Sequence, residues 1–185
     1  MHLVLLRHTP TAVGTAVCYG DDDVPLADSH RTDINHCVQQ LPQVDHIITS
    51  PLVRCQALAA AVAERQGVTV DIDHHLKEMH FGHWQGHNWS DISRDELDMW
   101  AADYEAAKPH GGESVMEFRR RVRQLLTTLA ARFLSEQRIL LVTHAGVIRS
   151  ILTFVDPHPE GDYDERDFQI DYGQWLDVDY SLTTP

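Results

Sequence analysis

The stretches Leu3-Val4-Leu5-Leu6-Arg7-His8-Thr9 and Leu140-Leu141-Val142-Thr143-His144-Ala145-Gly146 share one design, an apolar run that stops at a histidine. Strands buried on both faces read as unbroken apolar runs, and parallel sheets place ligands at the carboxyl ends of their strands. Two histidines delivered to one sheet edge, with Arg7 beside the first, describe a pocket for an anion. Further strand-like runs stand at His46–Thr49 and Thr69–Ile72. Together with Leu3–Leu6 and Ile139–Thr143 they alternate with helical segments. That alternation predicts an α/β fold, a single-domain three-layer sandwich over 1–185 with a mostly parallel sheet flanked by helices.

Two helices can be placed with their ends. In the first, Ser50 is positioned to cap, Pro51 suits the first turn, Gly67 ends it, and Leu52, Cys55, Leu58, Ala59 and Val62 share one face. In the second, Ser114 and Glu117 have the spacing of a capping box. Its apolar stripe runs through Val115, Phe118, Val122, Leu125, Leu126, Leu129 and Phe133. A third helical stretch is expected from Asn88 to Ala107, stopped by Pro109. The Pro-, Gly- and acid-rich run Asp156–Asp167 reads as a loop, and Gln169–Tyr180 as one or two edge strands.

Composition excludes several classes. The 15 Lys and Arg against 28 Asp and Glu give a formal charge of −13, which repels nucleic acid and anionic membranes. An anionic substrate then needs a local cationic pocket. Three irregularly spaced cysteines, Cys18, Cys37 and Cys55, fit a reducing compartment. With no basic leader and no long apolar segment, the expected location is the cytoplasm. Oligomeric state stays open, a homodimer included.

Five blocks in order carry a resemblance. Leu6-Arg7-His8-Thr9-Pro10-Thr11, Thr49-Ser50-Pro51-Leu52-Val53-Arg54-Cys55, and Lys77-Glu78-Met79-His80-Phe81-Gly82-His83-Trp84-Gln85-Gly86 are followed by His110-Gly111-Gly112-Glu113-Ser114 and Val142-Thr143-His144-Ala145-Gly146-Val147. Together they resemble the histidine phosphatase superfamily, the phosphoglycerate-mutase-like enzymes. Within it, Cys18-Tyr19-Gly20 followed by Asp23-Val24-Pro25-Leu26 is most similar to the α-ribazole phosphatases of cobalamin nucleotide-loop assembly. The resemblance implies a phosphoric monoester hydrolase whose substrate-binding residues are Arg7, Thr11, Tyr19, Gly20, Arg54, His144 and Ala145. Three positions depart from the pattern. Thr9 replaces the glycine usual after the histidine, Gly14 stands where many relatives carry asparagine, and Gln85-Gly86 is closer to the mutases.

The chemistry follows from the side chains. Phosphate monoesters hydrolyse very slowly in water, so an enzyme must stabilise charge and activate attack. A neutral imidazole attacks phosphorus and forms a phosphohistidine that water later cleaves, and His8 is the candidate nucleophile. Arg7 and Arg54 supply planar forks matched to phosphate oxygens and disfavour imidazolium at His8. His144 is expected to donate to an equatorial oxygen. Glu78 is the candidate acid for the leaving alkoxide and then base for water, with Glu113 and the histidines around His80 next in line. The scheme needs no metal and no cofactor, and its partner is a small phosphomonoester.

Rival readings stand beside this one. Within the enzyme class, a broad-specificity phosphatase and a phosphoglycerate mutase share the chemistry. Outside it stand a silent phosphate-binding module and a metal-binding protein built on His74, His75, His80, His83 and His87. Arg119, Arg120, Arg121 and Arg123 read as a solvated helix face. Phe81, Trp84 and Trp89 are core residues or a stacking surface for an aromatic base.

Overall fold

The computed structural model describes residues 1–155 and 168–180. Its sheet contains β1 (His2–Arg7), β2 (His46–Thr49), β3 (Val70–Ile72), β4 (Arg138–Thr143) and β5 (Trp175–Asp179), in the order β3-β2-β4-β1-β5. All neighbours run parallel except β5, which lies antiparallel on β1. The expected α/β sandwich is therefore present, with a single edge strand inside Gln169–Tyr180. The expected loop at Asp156–Asp167 lies outside the described residues.

Alternation along the two central strands divides the core. Leu3 and Leu5 of β1, with Ile139 and Leu141 of β4, face helices α4 (Val115–Arg132) and α5 (Ala145–Val155). Val4, Leu6, Leu140 and Val142 face the other way, onto α1 (His30–Gln40) and α2 (Val53–Gln66). All eight strand residues are fully buried. Covering both faces of the sheet with helices is what makes an unbroken apolar run stable as a strand, at about 1.5–3 kcal/mol per large side chain.

The helix expectations hold in part. Ser114 Oγ accepts from Glu117 N at 3.1 Å and Glu117 Oε2 accepts from Ser114 N at 2.8 Å, closing the capping box of α4. Gly67 ends α2 in the left-handed conformation at φ 69°. Ser50, however, is not the cap of α2: the helix starts at Val53, and the Ser50 hydroxyl accepts from Leu52 N–H before the helix at 3.4 Å and meets His144 at 2.9 Å. The stretch Asn88–Ala107 is also broken. A 3₁₀ turn at Trp89–Asp91 precedes α3 (Arg94–Ala102), which ends at Asp103 well before Pro109. Beyond α3 the chain must come back to Gly82, whose amide stands so near Gly112 that a Cβ on Gly112 would lie 2.6 Å from it. Residues 103–107 close one further turn, with Ala107 N–H donating to Asp103 O at 2.8 Å.

Candidate active site

Register decides the site. Strands β1 and β4 pair from His2↔Arg138 to Arg7↔Thr143, so His8 and His144 leave the sheet side by side. His8 N–H donates to Thr143 O at 3.0 Å, and the two imidazole centroids are 5.2 Å apart. Both rings are buried, at 2% and 1% exposure.

His8 Nδ1 lies 2.8 Å from Thr9 O, which can only accept. The proton therefore sits on Nδ1, and the Nε2 lone pair is free. Burial, then the Arg54 and Arg7 charges, push the His8 pKa down to about 3, so the ring is neutral at physiological pH. Thr9 in place of glycine does not disturb this arrangement, because no residue other than glycine has a positive φ among the described residues.

Arg54 is fully buried. Its Nε donates to His144 Nδ1 at 3.3 Å, Nη1 to Asp22 O at 2.6 Å and Nη2 to Gly20 O at 2.7 Å. Each η nitrogen keeps one further N–H. Gly20 is a required glycine: its φ is +41°, and a Cβ there would stand 2.6 Å from Met79 O. With Nδ1 of His144 accepting, its Nε2 carries the proton and donates to Ser50 Oγ at 2.9 Å. Burial, then the His8 and Arg54 charges, hold the His144 pKa well below the usual imidazole value. Both of its nitrogens are therefore committed to protein groups. Arg54→Lys keeps the charge but reaches at most one of these three partners. We expect a loss of about 10²–10³ in kcat/KM on p-nitrophenyl phosphate. A loss under fivefold would mean that net charge alone matters.

Glu78 reaches the same centre from the loop after β3. Its Oε1 accepts from Met79 N at 2.9 Å and its Oε2 from Gly146 N at 3.0 Å, at the start of α5. A Cβ on Gly146 would meet that carboxyl group, with its Cδ at 3.0 Å, so residue 146 must be glycine for Glu78 to lie here. The loop itself is clamped by Arg121, which donates to the carbonyls of His75, Lys77 and Glu78 at 2.7–2.9 Å. Glu113 holds Arg121 with both oxygens, at 2.8 and 3.0 Å. Arg121 is thus not part of a solvated helix face, and Glu113 is occupied as a structural partner rather than standing ready as an acid.

A cavity of about 530 Å³ opens from this centre, and Arg7, His8, Tyr19, Gly20, Glu78, His144 and Ala145 all line it. Thr11 and Arg54 are buried and do not line it. Phe81, Trp89, Trp100, Tyr104 and Phe118 form its far wall. The sequence alternatives for the aromatic run are therefore divided: Trp84 is core at 1% exposure, packed with Cys18 and Ile92, while Phe81 and Trp89 face the cavity. The histidine-rich span does not converge. His75 pairs with Asp73 and His83 with Glu96, and no metal-holding group of three appears among the described residues. Tyr172, absent from the sequence reading, lines the cavity with its ring 5.5 Å from His8.

Residues 3–183 match the histidine phosphatase superfamily, branch 1. The chain belongs to that superfamily. An adenosylcobalamin/α-ribazole phosphatase of Salmonella typhimurium is 28% identical over 97% of this chain and 90% of its own length. A glucosyl-3-phosphoglycerate phosphatase of Mycobacterium tuberculosis is 32% identical over 80% of this chain and 72% of its own. The crystal structure of an Escherichia coli K-12 α-ribazole-5′-P phosphatase superposes with a TM-score of 0.86 at 28% identity, covering 98% of this chain and 91% of that one. This histidine phosphatase is a phosphoric monoester hydrolase, and no described helix is long and apolar enough to cross a membrane.

Proposed function

We propose that the protein hydrolyses α-ribazole 5′-phosphate in the cytoplasm by way of a phosphohistidine on His8. The observation that carries this reading is the aromatic-walled cavity joined directly to the His8, His144 and Arg7 centre. A nucleotide fits its polarity: phosphate at the sheet edge, sugar against α5, flat base against Trp89 and Trp100. Along the α5 wall, Arg149 and the buried hydroxyl of Ser150, which has no partner among the described residues, offer polar groups to the sugar. The volume lies within the range of about 300–1,000 Å³ usual for small-molecule sites. The buried, unpaired cysteines accord with a reducing compartment.

In the first step the Nε2 lone pair of His8 forms the N–P bond as the ester P–O bond breaks. Glu78 gives its proton to the departing 5′-oxygen. In the second, the Glu78 carboxylate takes a proton from water, whose oxygen attacks phosphorus as the P–N bond breaks. Arg7 and the free N–H groups of Arg54 neutralise the equatorial oxygens in both steps. His144 orients Arg54 through Nδ1. For it to donate to a phosphoryl oxygen, its Nε2 proton must leave Ser50 Oγ.

A panel of α-ribazole 5′-phosphate, ribose 5-phosphate, 3-phosphoglycerate and p-nitrophenyl phosphate tests the substrate. Binding energy from a buried base is worth at least about 10²-fold in kcat/KM over ribose 5-phosphate. Equal rates for those two sugars would remove the aromatic wall from substrate recognition, and preference for 3-phosphoglycerate would favour a carboxylate substrate.

A further inference from the structure

Each phosphate-site arginine rests on a tyrosine. The guanidinium carbon of Arg7 lies 3.8 Å from the Tyr172 ring centroid, and that of Arg54 lies 5.1 Å from the Tyr19 centroid. The two tyrosine hydroxyls are 3.0 Å apart, although the residues are 153 positions apart in the chain. Tyr19 comes from the loop after β1 and Tyr172 from the turn that leads into β5.

That turn grips the catalytic strand end at several points. Gly173 N–H is shared between the carbonyls of Arg7 and His8, at 3.2 Å from each, and Gln174 O accepts from Arg7 N at 3.1 Å. Ile170 O accepts from Arg7 Nη1 at 2.6 Å. Arg7 Nε is buried and has no partner among the described residues; with one Nη1 N–H on Ile170 O, the other four N–H groups of the guanidinium are unbonded there. Guanidinium N–H groups lie in one plane, and that plane decides where they point. Ile170 O fixes a single atom of the group, and rotation about that contact would change where the remaining N–H groups point. The Tyr172 face opposes the rotation, because leaving it forfeits a cation–π contact in a poorly solvated place.

We propose that Tyr172 is a positioning residue for phosphoryl transfer: its ring sets the plane of Arg7, and its hydroxyl contact with Tyr19 ties the two arginine supports together across the phosphoryl pocket. The proposal rests on the reading of Arg7 and Arg54 as phosphate ligands.

The test measures kcat and KM on p-nitrophenyl phosphate for wild type, Tyr172→Phe, Tyr172→Leu, Arg7→Lys and the Arg7→Lys/Tyr172→Leu double variant, with Tm recorded for each. Tyr172→Leu should lower kcat/KM about 10- to 30-fold, mostly in kcat. Tyr172→Phe keeps the face and loses only the link to Tyr19, so it should lose about 3- to 5-fold. In the Arg7→Lys background the leucine substitution should cost about twofold, since the plane it holds is gone. Tyr172→Gln gives the same comparison without a new apolar side chain, should the leucine variant fold poorly. Wild-type activity in Tyr172→Leu, equal losses for Phe and Leu, or equal leucine costs in both backgrounds would each overturn the proposal. If Arg7→Lys itself is fully active, it is the reading of Arg7 that fails.

Discussion

His8→Ala is expected to abolish turnover, a fall of at least about 10⁴-fold in kcat, because no neighbouring group can replace a covalent relay. The free Nε2 beside two arginines is the only uncommitted nitrogen of the His8 and His144 pair. Acid quenching the wild type with labelled substrate should lose the label, and alkaline quenching should retain it, since an N–P bond is acid-labile and base-stable. The alanine variant should retain none. A physical control comes with it. The His8 pKa is about 3 in the folded protein and 6.5 when solvated, so between these values the unfolded chain binds the extra proton. Folding stability should therefore decline as pH falls through that window, and His8→Ala should flatten part of the decline. Urea midpoints at pH 7 and pH 4.5 measure it. An active alanine variant, or a labelled one, would rule out the mechanism.

Glu78→Gln should produce the second largest change, and one that depends on the leaving group. An alkoxide needs a proton as it departs, whereas p-nitrophenolate does not. Loss of the acid should therefore cost about 10²–10⁴ on ribose 5-phosphate and under tenfold on p-nitrophenyl phosphate. The amide oxygen can still accept from one of the Met79 and Gly146 amides, which keeps the side chain near its place. Across substituted phenyl phosphates the deficit should shrink as the phenol becomes more acidic. Equal losses on both substrate types would limit Glu78 to positioning or charge. With Glu113 locked onto Arg121, the acid would then have to come from a histidine near His80 or from water.

Features carried by local periodicity were legible in the sequence, and features made by long-range contact were not. Strands β1, β2 and β4 announce themselves as apolar runs, and α4 as a stripe behind a capping box. Helix α1 does not, because only Ile34, Cys37 and Val38 of its eleven residues are buried and its remaining surface is polar. Helix α5 escapes for a different reason: its apolar residues follow those of β4 after only His144, and Arg149, Ser150 and Thr153 are too few to mark the change of period. At the site, His8, His144 and Arg54 could be named because each sits at an element end with its own motif. Ser50 looked like a cap because local spacing cannot reveal a histidine 94 residues away. Arg121 looked solvated because its carbonyl partners lie in a loop more than 40 residues upstream. Tyr172 had no local signal, since its contact with Arg7 joins it to the far end of the chain.

The in-register pairing of β1 with β4 also bears on how activity is acquired during folding. His8 and His144 become neighbours only when a parallel ladder closes a loop of more than 130 residues, and such non-local pairings are the slow, entropically costly contacts of a folding chain. Arg54, held by β4's histidine, and Glu78, held by the first turn of α5, wait on the same event. Helices and local turns form long before it. A refolding chain therefore regains its helical circular dichroism first and its catalysis last, and partly folded species carry neither phosphate affinity nor phosphatase activity.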